Sequence, residues 1–202
     1  MKPKQIENFF RRLDEDLNAS ATVYLTGACA AAVWGGVRPS QDIDFGLRLN
    51  KGSGVTWEQV YASVERTTKL TGIPASVAED IDRWGMITLL NYQKTSKSWL
   101  RLRGLDVRLL DPATWAIGKL TRFLESDILD VVAVFRRQKV DGLAAARVWG
   151  RALRASPPST TQFQFRRQVE LFLASQGKVI WGRTFDTDAA IRTFKAAAKI
   201  RS

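Results

Sequence analysis

Thr22-Val-Tyr-Leu-Thr-Gly-Ala28, followed downstream by Asp42-Ile-Asp-Phe-Gly-Leu47, is the stretch that decides the fold. The first five residues are short, apolar and β-branched, the signature of a buried strand. Gly27 ends that strand, and the alanine-rich run from Ala28 to Trp34 predicts a helix that Gly35-Gly36 stops. In the second segment Ile43, Phe45 and Leu47 alternate with Asp42 and Asp44. Side chains alternate across a strand, so the apolar set faces a core and both carboxylates face the other way.

Working outward, Leu105-Asp-Val-Arg-Leu109 repeats the pattern, with Leu105, Val107 and Leu109 on one face and Asp106 and Arg108 on the other. If the two strands are neighbours, Asp42, Asp44 and Asp106 converge on one side of the sheet. Helical periodicity predicts a helix over 3–18, through Ile6, Phe9, Phe10, Leu13 and Leu17, and another over 56–71, with Val60, Val64 and Leu70 inward. Weaker strands are expected over 74–77, 85–90 and 99–103. Asp111-Pro112 marks a capped helix start. Helices are expected over 113–124, 127–138, 141–154, 162–176 and 187–199, with Ser156-Pro-Pro-Ser-Thr-Thr161 as a linker. The fold class is therefore α/β (α+β), a small mixed β-sheet flanked by helices. The division places a core over 1–140 and a basic helical lobe over 141–202.

Composition narrows the chemistry. There is no histidine and one cysteine, Cys29. That excludes His-dependent nucleophilic catalysis and imidazole or all-thiolate zinc sites. A metal here would be held by carboxylates, which favours Mg²⁺ or Mn²⁺. Two such ions can activate an attacking hydroxyl and stabilise a leaving pyrophosphate without histidine. The amino-terminal sequence has no apolar h-region, and together with the single cysteine this makes a cytoplasmic setting the default expectation. The net charge is +11. Residues 141–202 carry 11 Lys/Arg against 4 Asp/Glu, a surplus that includes Arg147, Arg151, Arg154, Arg166 and Arg167 and points to a polyanionic partner. Gly27 at the strand-to-helix turn would let phosphates approach the backbone.

The stretch from Tyr24 to Leu47 resembles the opening motif of the polymerase-beta-like nucleotidyltransferase superfamily: strand, glycine turn, helix, then Asp-x-Asp on the next strand and a third acid later. Arg38-Pro-Ser-Gln before Asp42-Ile-Asp44, then Lys119-Leu-Thr-Arg122 and Asp127-Ile-Leu-Asp130, are most similar to the branch of AbiEii-type abortive-infection toxins. The resemblance implies a nucleotidyltransferase fold. It implies that Asp42, Asp44 and Asp106 are the catalytic and metal-binding residues. Gly27, Ala28, Arg38, Ser40, Lys119 and Asp127 would contact nucleotide or orient the site. It further implies a nucleoside triphosphate as substrate, RNA (notably tRNA) as acceptor, and a toxin role with a cognate antitoxin. Ala28 departs from the usual Gly or Ser and removes a hydroxyl. Two alternatives stay open: a small-molecule, aminoglycoside-like nucleotidyltransferase, which the positive charge argues against, and a catalytically degenerate nucleotide-binding or antitoxin module.

Overall fold

The computed structural model describes residues 1–36, 38–84 and 86–200. The chain is α/β, with a five-stranded mixed sheet and many helices. It divides into two compact units, residues 1–81 with 95–110 and residues 82–94 with 111–202. The division expected from sequence lay at residue 140. In the structure the break after Leu110 puts the helices of 112–138 in the second unit.

In the first unit α1 (Pro3–Leu17), β1 (Ala21–Leu25), α2 (Gly27–Val33), β2 (Ile43–Leu49), α3 (Trp57–Thr71) and β3 (Ala75–Ala78) follow in order, and β4 (Lys97–Arg101) and β5 (Leu105–Leu109) complete the sheet. Its strand order is β3-β2-β1-β5-β4. β1 runs antiparallel to β2 and parallel to β5. One face carries Ile43, Phe45, Leu47, Val23, Leu25 and Val107, all fully buried. Against it lies the apolar face of α1, where Phe10 and Phe45 meet edge to face at 5.3 Å. Asp14 of α1 is buried, and its Oδ1 accepts from the backbone N–H of Gly104 (2.8 Å) and Leu105 (2.9 Å), which ties the helix to the start of β5. Helix α3 begins at a capping box on Thr56 and turns Val60 and Val64 inward, as its periodicity predicts. Leu70, expected inward, is 71% exposed; Thr67 and Ser63 take the inner positions instead. The helical period carries position 70 past the buried stripe.

The second unit holds the short α4 (Tyr92–Thr95) up to Lys94, then α5 (Pro112–Arg122), α6 (Glu125–Gln138), α7 (Gly142–Ala155), α8 (Thr160–Trp181) and α9 (Thr187–Ala198). Asp111, Asp141, Ser159 and Asp186 each cap a helix with a side-chain oxygen on a first-turn N–H. Trp149 anchors the core: its Nε1–H donates to Ala113 O at 2.9 Å, and its ring stacks on Phe135 at 5.9 Å. Gly150 is required at the α7–α9 crossing, because a Cβ there would lie 2.5 Å from Phe194 O. Residues 86–90 form no strand, contrary to expectation, and Gly85 lies outside the described residues. The expected helix over 162–176 is longer at both ends: Ser159 caps its start, and it runs through Gly177, which is buried against Phe185, to stop at Gly182.

Candidate functional site

The polar face of the first unit's sheet is organised in rows set by strand register. At the outer end of β1, hydrogen bonding continues past the strand: Thr26 N–H donates to Asp44 O at 3.0 Å. That row holds Thr26 and Asp44, with Ser76 opposite Asp44 on β3. Asp44 O also accepts from Thr26 Oγ1–H (3.2 Å), so the backbone beneath the carboxylate is fixed from two directions. The next row holds Gly46, Tyr24 and Arg108, and the one after it Arg48, Thr22 and Asp106.

Gly27 is the closest approach in the site. Its φ is +58°, and a Cβ added there would lie 2.6 Å from Asp44 Oδ2. The turn is therefore glycine for two separate reasons: the left-handed backbone, and the carboxylate lying directly over it. Cys29 in the first turn of α2 is buried, and its thiol is pushed up to about 12, first by burial and further by the charges of Asp44 and Asp42. Both carboxylates thus act electrostatically on the start of α2. Asp42 precedes β2 and is exposed; its carbonyl accepts from Ser40 Oγ–H at 2.6 Å. Ser40 is itself buried and accepts on its carbonyl from the amino terminus of Met1. Ser40 therefore shapes the loop before β2 rather than facing open solvent. Arg38 is exposed in the same loop, and Ala28 is half-buried beside Gly27.

Asp106 does not join this group. It lies opposite Thr22, whereas Asp44 is paired at the level of Thr26. Four residues along the strands and two strands across give a backbone separation of about 16 Å, from ~3.3 Å per residue and ~4.8 Å per strand. No single cation with bonds of ~2.1 Å spans that gap. The convergence of three carboxylates expected from sequence is thus not made in this structure. Asp106 is engaged locally: it accepts from Ser98 Oγ–H at 2.5 Å and pairs with Arg101 at 3.9 Å, both on the neighbouring β4, and pairs with Arg108 on its own strand at 3.6 Å. Among the described residues, no group of three or more Cys, Asp or Glu side chains is arranged to hold a metal ion. Asp42 and Asp44 remain as a pair, and one or two carboxylates plus substrate phosphates are the usual ligands of Mg²⁺.

Sequence reasoning assigned no role to Tyr24 or Arg108, which occupy the row between. Tyr24 is buried, and burial raises its phenol pKa against the opposing pull of Arg108 and Arg48. Arg108 donates from Nη2 to Ser96 O at 2.9 Å, while its buried Nε has no hydrogen-bond partner. Alternation had placed Arg108 on the carboxylate face; only the register places it one row nearer to Asp44 than Asp106.

Lys119 and Asp127 lie in the second unit and form a different kind of group. Lys119 Nζ donates to Asp127 Oδ1 at 2.9 Å and to Asp130 Oδ2 at 2.7 Å, and all three side chains are 1–2% exposed. Arg122 closes the cluster with 3.0 and 2.8 Å bonds to Asp127. Burial opposes ionisation of Asp127, yet the hydrogen bonds from Arg122 and Lys119 prevail and hold its carboxyl below the ordinary 3.8. In this arrangement the Lys119 ammonium is directed at two carboxylates and shielded from solvent. It ties α5 to α6.

No family model, curated protein or solved structure matches this chain. Among the described residues, no helix is long and apolar enough to cross a membrane.

Proposed function

We propose that the Asp42/Asp44 end of the sheet binds a divalent cation together with the phosphates of a nucleoside triphosphate, as the nucleotide site of a nucleotidyltransferase. The observation that carries this reading is the Asp44 carboxylate held over Gly27, with Asp42 two residues before it. A carboxylate pair beside a glycine turn brings metal ligands and approachable backbone together, which is what a metal–phosphate complex requires. Mg²⁺ or Mn²⁺ would be held by Asp42 and Asp44 and would supply charge neutralisation at the phosphates. The site proposed here is a one-ion site, because Asp106 lies too far along β5 to share it. By resemblance to AbiEii-type toxins, the acceptor is RNA.

The test is calorimetry with each NTP in Mg²⁺ or Mn²⁺, joined to transfer of radiolabel from α-labelled NTP to total RNA. The parent protein should bind one NTP and label RNA. Asp44→Asn should abolish both, and Asp106→Asn should leave NTP binding within about twofold. Absence of metal-dependent NTP binding to the parent protein refutes the site.

The separation of Asp106 from the pair favours a second reading, a nucleotide-binding module without transferase activity. It would bind the metal–NTP complex as above and label nothing.

A further inference from the structure

The positive charge is concentrated in the helical unit. Residues 82–94 and 111–202 hold 18 Lys/Arg and 9 Asp/Glu, a net +9 of the chain's +11. Three of the arginines described there have a carboxylate beside them: Arg122 with Asp127, Arg166 with Glu170 at 3.1 Å, Arg192 with Asp186 at 3.8 Å. Helix α7 gathers three that do not onto one face. Arg147, Arg151 and Arg154 are all exposed, and none makes an ion pair among the described residues. The helix contains no Asp or Glu, and its capping Asp141 accepts from Ala144 N–H.

The rotation of α7 is fixed by what it buries. Ala145, Ala146, Trp149, Gly150, Ala152 and Leu153 face the core. At 100° per residue the three arginines fall within about 60° of one another on the opposite side, over about 10.5 Å of axis at ~1.5 Å per residue. Like charges at i,i+4 and i,i+3 destabilise a helix, so the fold alone gives no reason to align them. Three guanidiniums in line, each able to grip two oxygens of one phosphate, do match a row of phosphates. One nucleic-acid strand presents a charge every ~3.4 Å of duplex axis, so the stripe spans about three phosphates.

We propose that the Arg147–Arg151–Arg154 face of α7 binds the phosphodiester backbone of a nucleic acid. The same face carries only Ala144, Ala155 and the marginally exposed Leu143 beside the arginines. A membrane surface would need an apolar stripe to insert, and a protein partner an aromatic or aliphatic anchor; α7 offers neither. Binding of this kind is electrostatic and independent of sequence. It stands apart from the transferase reading, since it requires neither metal nor nucleotide.

The test is fluorescence anisotropy with the full chain on labelled single-stranded RNA, single-stranded DNA and duplex DNA, without metal or NTP, over a salt series. Poly-L-glutamate serves as a polyanion of different spacing. The variant is Arg147→Gln/Arg151→Gln/Arg154→Gln, and the control is Arg136→Gln/Arg137→Gln/Lys139→Gln, which removes the same charge from exposed positions at the end of α6. Circular dichroism and melting confirm that both fold. The stripe variant should lose about 2 from the slope of log K against log salt on single strands, at ~0.7 per phosphate contact, and about 2.7 on duplex at ~0.9. Its affinity at ~0.1 M salt should fall at least tenfold, with the control within threefold of the parent. The arm with the tightest parent binding identifies the nucleic acid. Three results overturn the proposal: no binding to any nucleic acid, equal weakening by the control, or poly-L-glutamate bound as tightly as nucleic acid.

Discussion

Replacing Lys119 with methionine separates two roles for this residue. In the structure its ammonium lies 2.9 Å from Asp127 and 2.7 Å from Asp130, with every partner almost completely buried. Methionine fills most of the same volume, so the change removes charge while leaving packing nearly intact. Removing one member of a buried ion pair typically costs about 3–5 kcal/mol, because the remaining charge has been taken out of water without compensation. Asp127 keeps Arg122 at 2.8 Å, which offsets part of that cost. For a chain of this length each kcal/mol moves the midpoint by ~2–4 °C, so Lys119→Met should melt about 6–20 °C lower. The triple change Lys119→Met/Asp127→Leu/Asp130→Leu removes the charges together and should recover most of the loss, since apolar replacement of a buried cluster is often neutral or stabilising. The pH dependence follows from Asp127. Its folded pKa is below the ordinary 3.8, so its contribution is complete above that value and is lost as pH falls through the lower folded value. The gap in stability between parent and Lys119→Met should therefore hold at neutral pH and narrow only as pH falls below 3.8. Scanning calorimetry and urea denaturation at neutral pH and at successively lower pH values make the measurement. If Lys119→Met melts within about 2 °C of the parent at neutral pH, by the same ~2–4 °C per kcal/mol, the clamp is wrong.

Gly27→Ala adds a Cβ 2.6 Å from Asp44 Oδ2 at a φ of +58°, whereas Gly72→Ala meets the same kind of backbone, φ +67°, with nothing within 4 Å. Both should lose about 1–2 kcal/mol by urea denaturation, and only Gly27→Ala should also lose metal–NTP binding by calorimetry; equal binding by the two variants would count against the site. Ala28→Ser restores a hydroxyl at the half-buried turn position, and one added hydrogen bond to phosphate should tighten Mg·NTP binding by roughly threefold to thirtyfold, corresponding to ~0.7–2 kcal/mol. Unchanged or weaker affinity would mean that phosphate does not reach this turn.

Sequence alone determined the pieces whose causes are local. The alternation in Asp42–Leu47 put Ile43, Phe45 and Leu47 in the core, and all three are fully buried. Asp111 and Pro112 marked the start of α5, where Asp111 Oδ1 accepts from Ala113 N–H at 3.0 Å. Gly27 was legible as a turn glycine, since a strand ran into a helix on either side of it. What failed were inferences that needed a distance between segments far apart in the chain. Leu70 is a separate, local miss: the buried stripe of α3 runs through Val60, Ser63, Val64 and Thr67, and the helical period carries position 70 past it. Asp127 and Lys119 carried the expected charges, but no periodicity says that two helices will bury those charges against each other.

The carboxylate face shows the boundary most clearly. A period of two fixed which side chains share a face, so Asp44, Asp106 and Arg108 were correctly placed on one side of the sheet. The offset between strands is set by how β1 hydrogen-bonds to β2 on one edge and β5 on the other. Alternation is unchanged by a slip of two residues, and sequence patterning therefore cannot distinguish Arg108 from Asp106 as the nearer neighbour of Asp44. Backbone pairing across the whole sheet decided that, and with it set Asp106 beside Ser98 and Arg101 of β4 instead of beside Asp44.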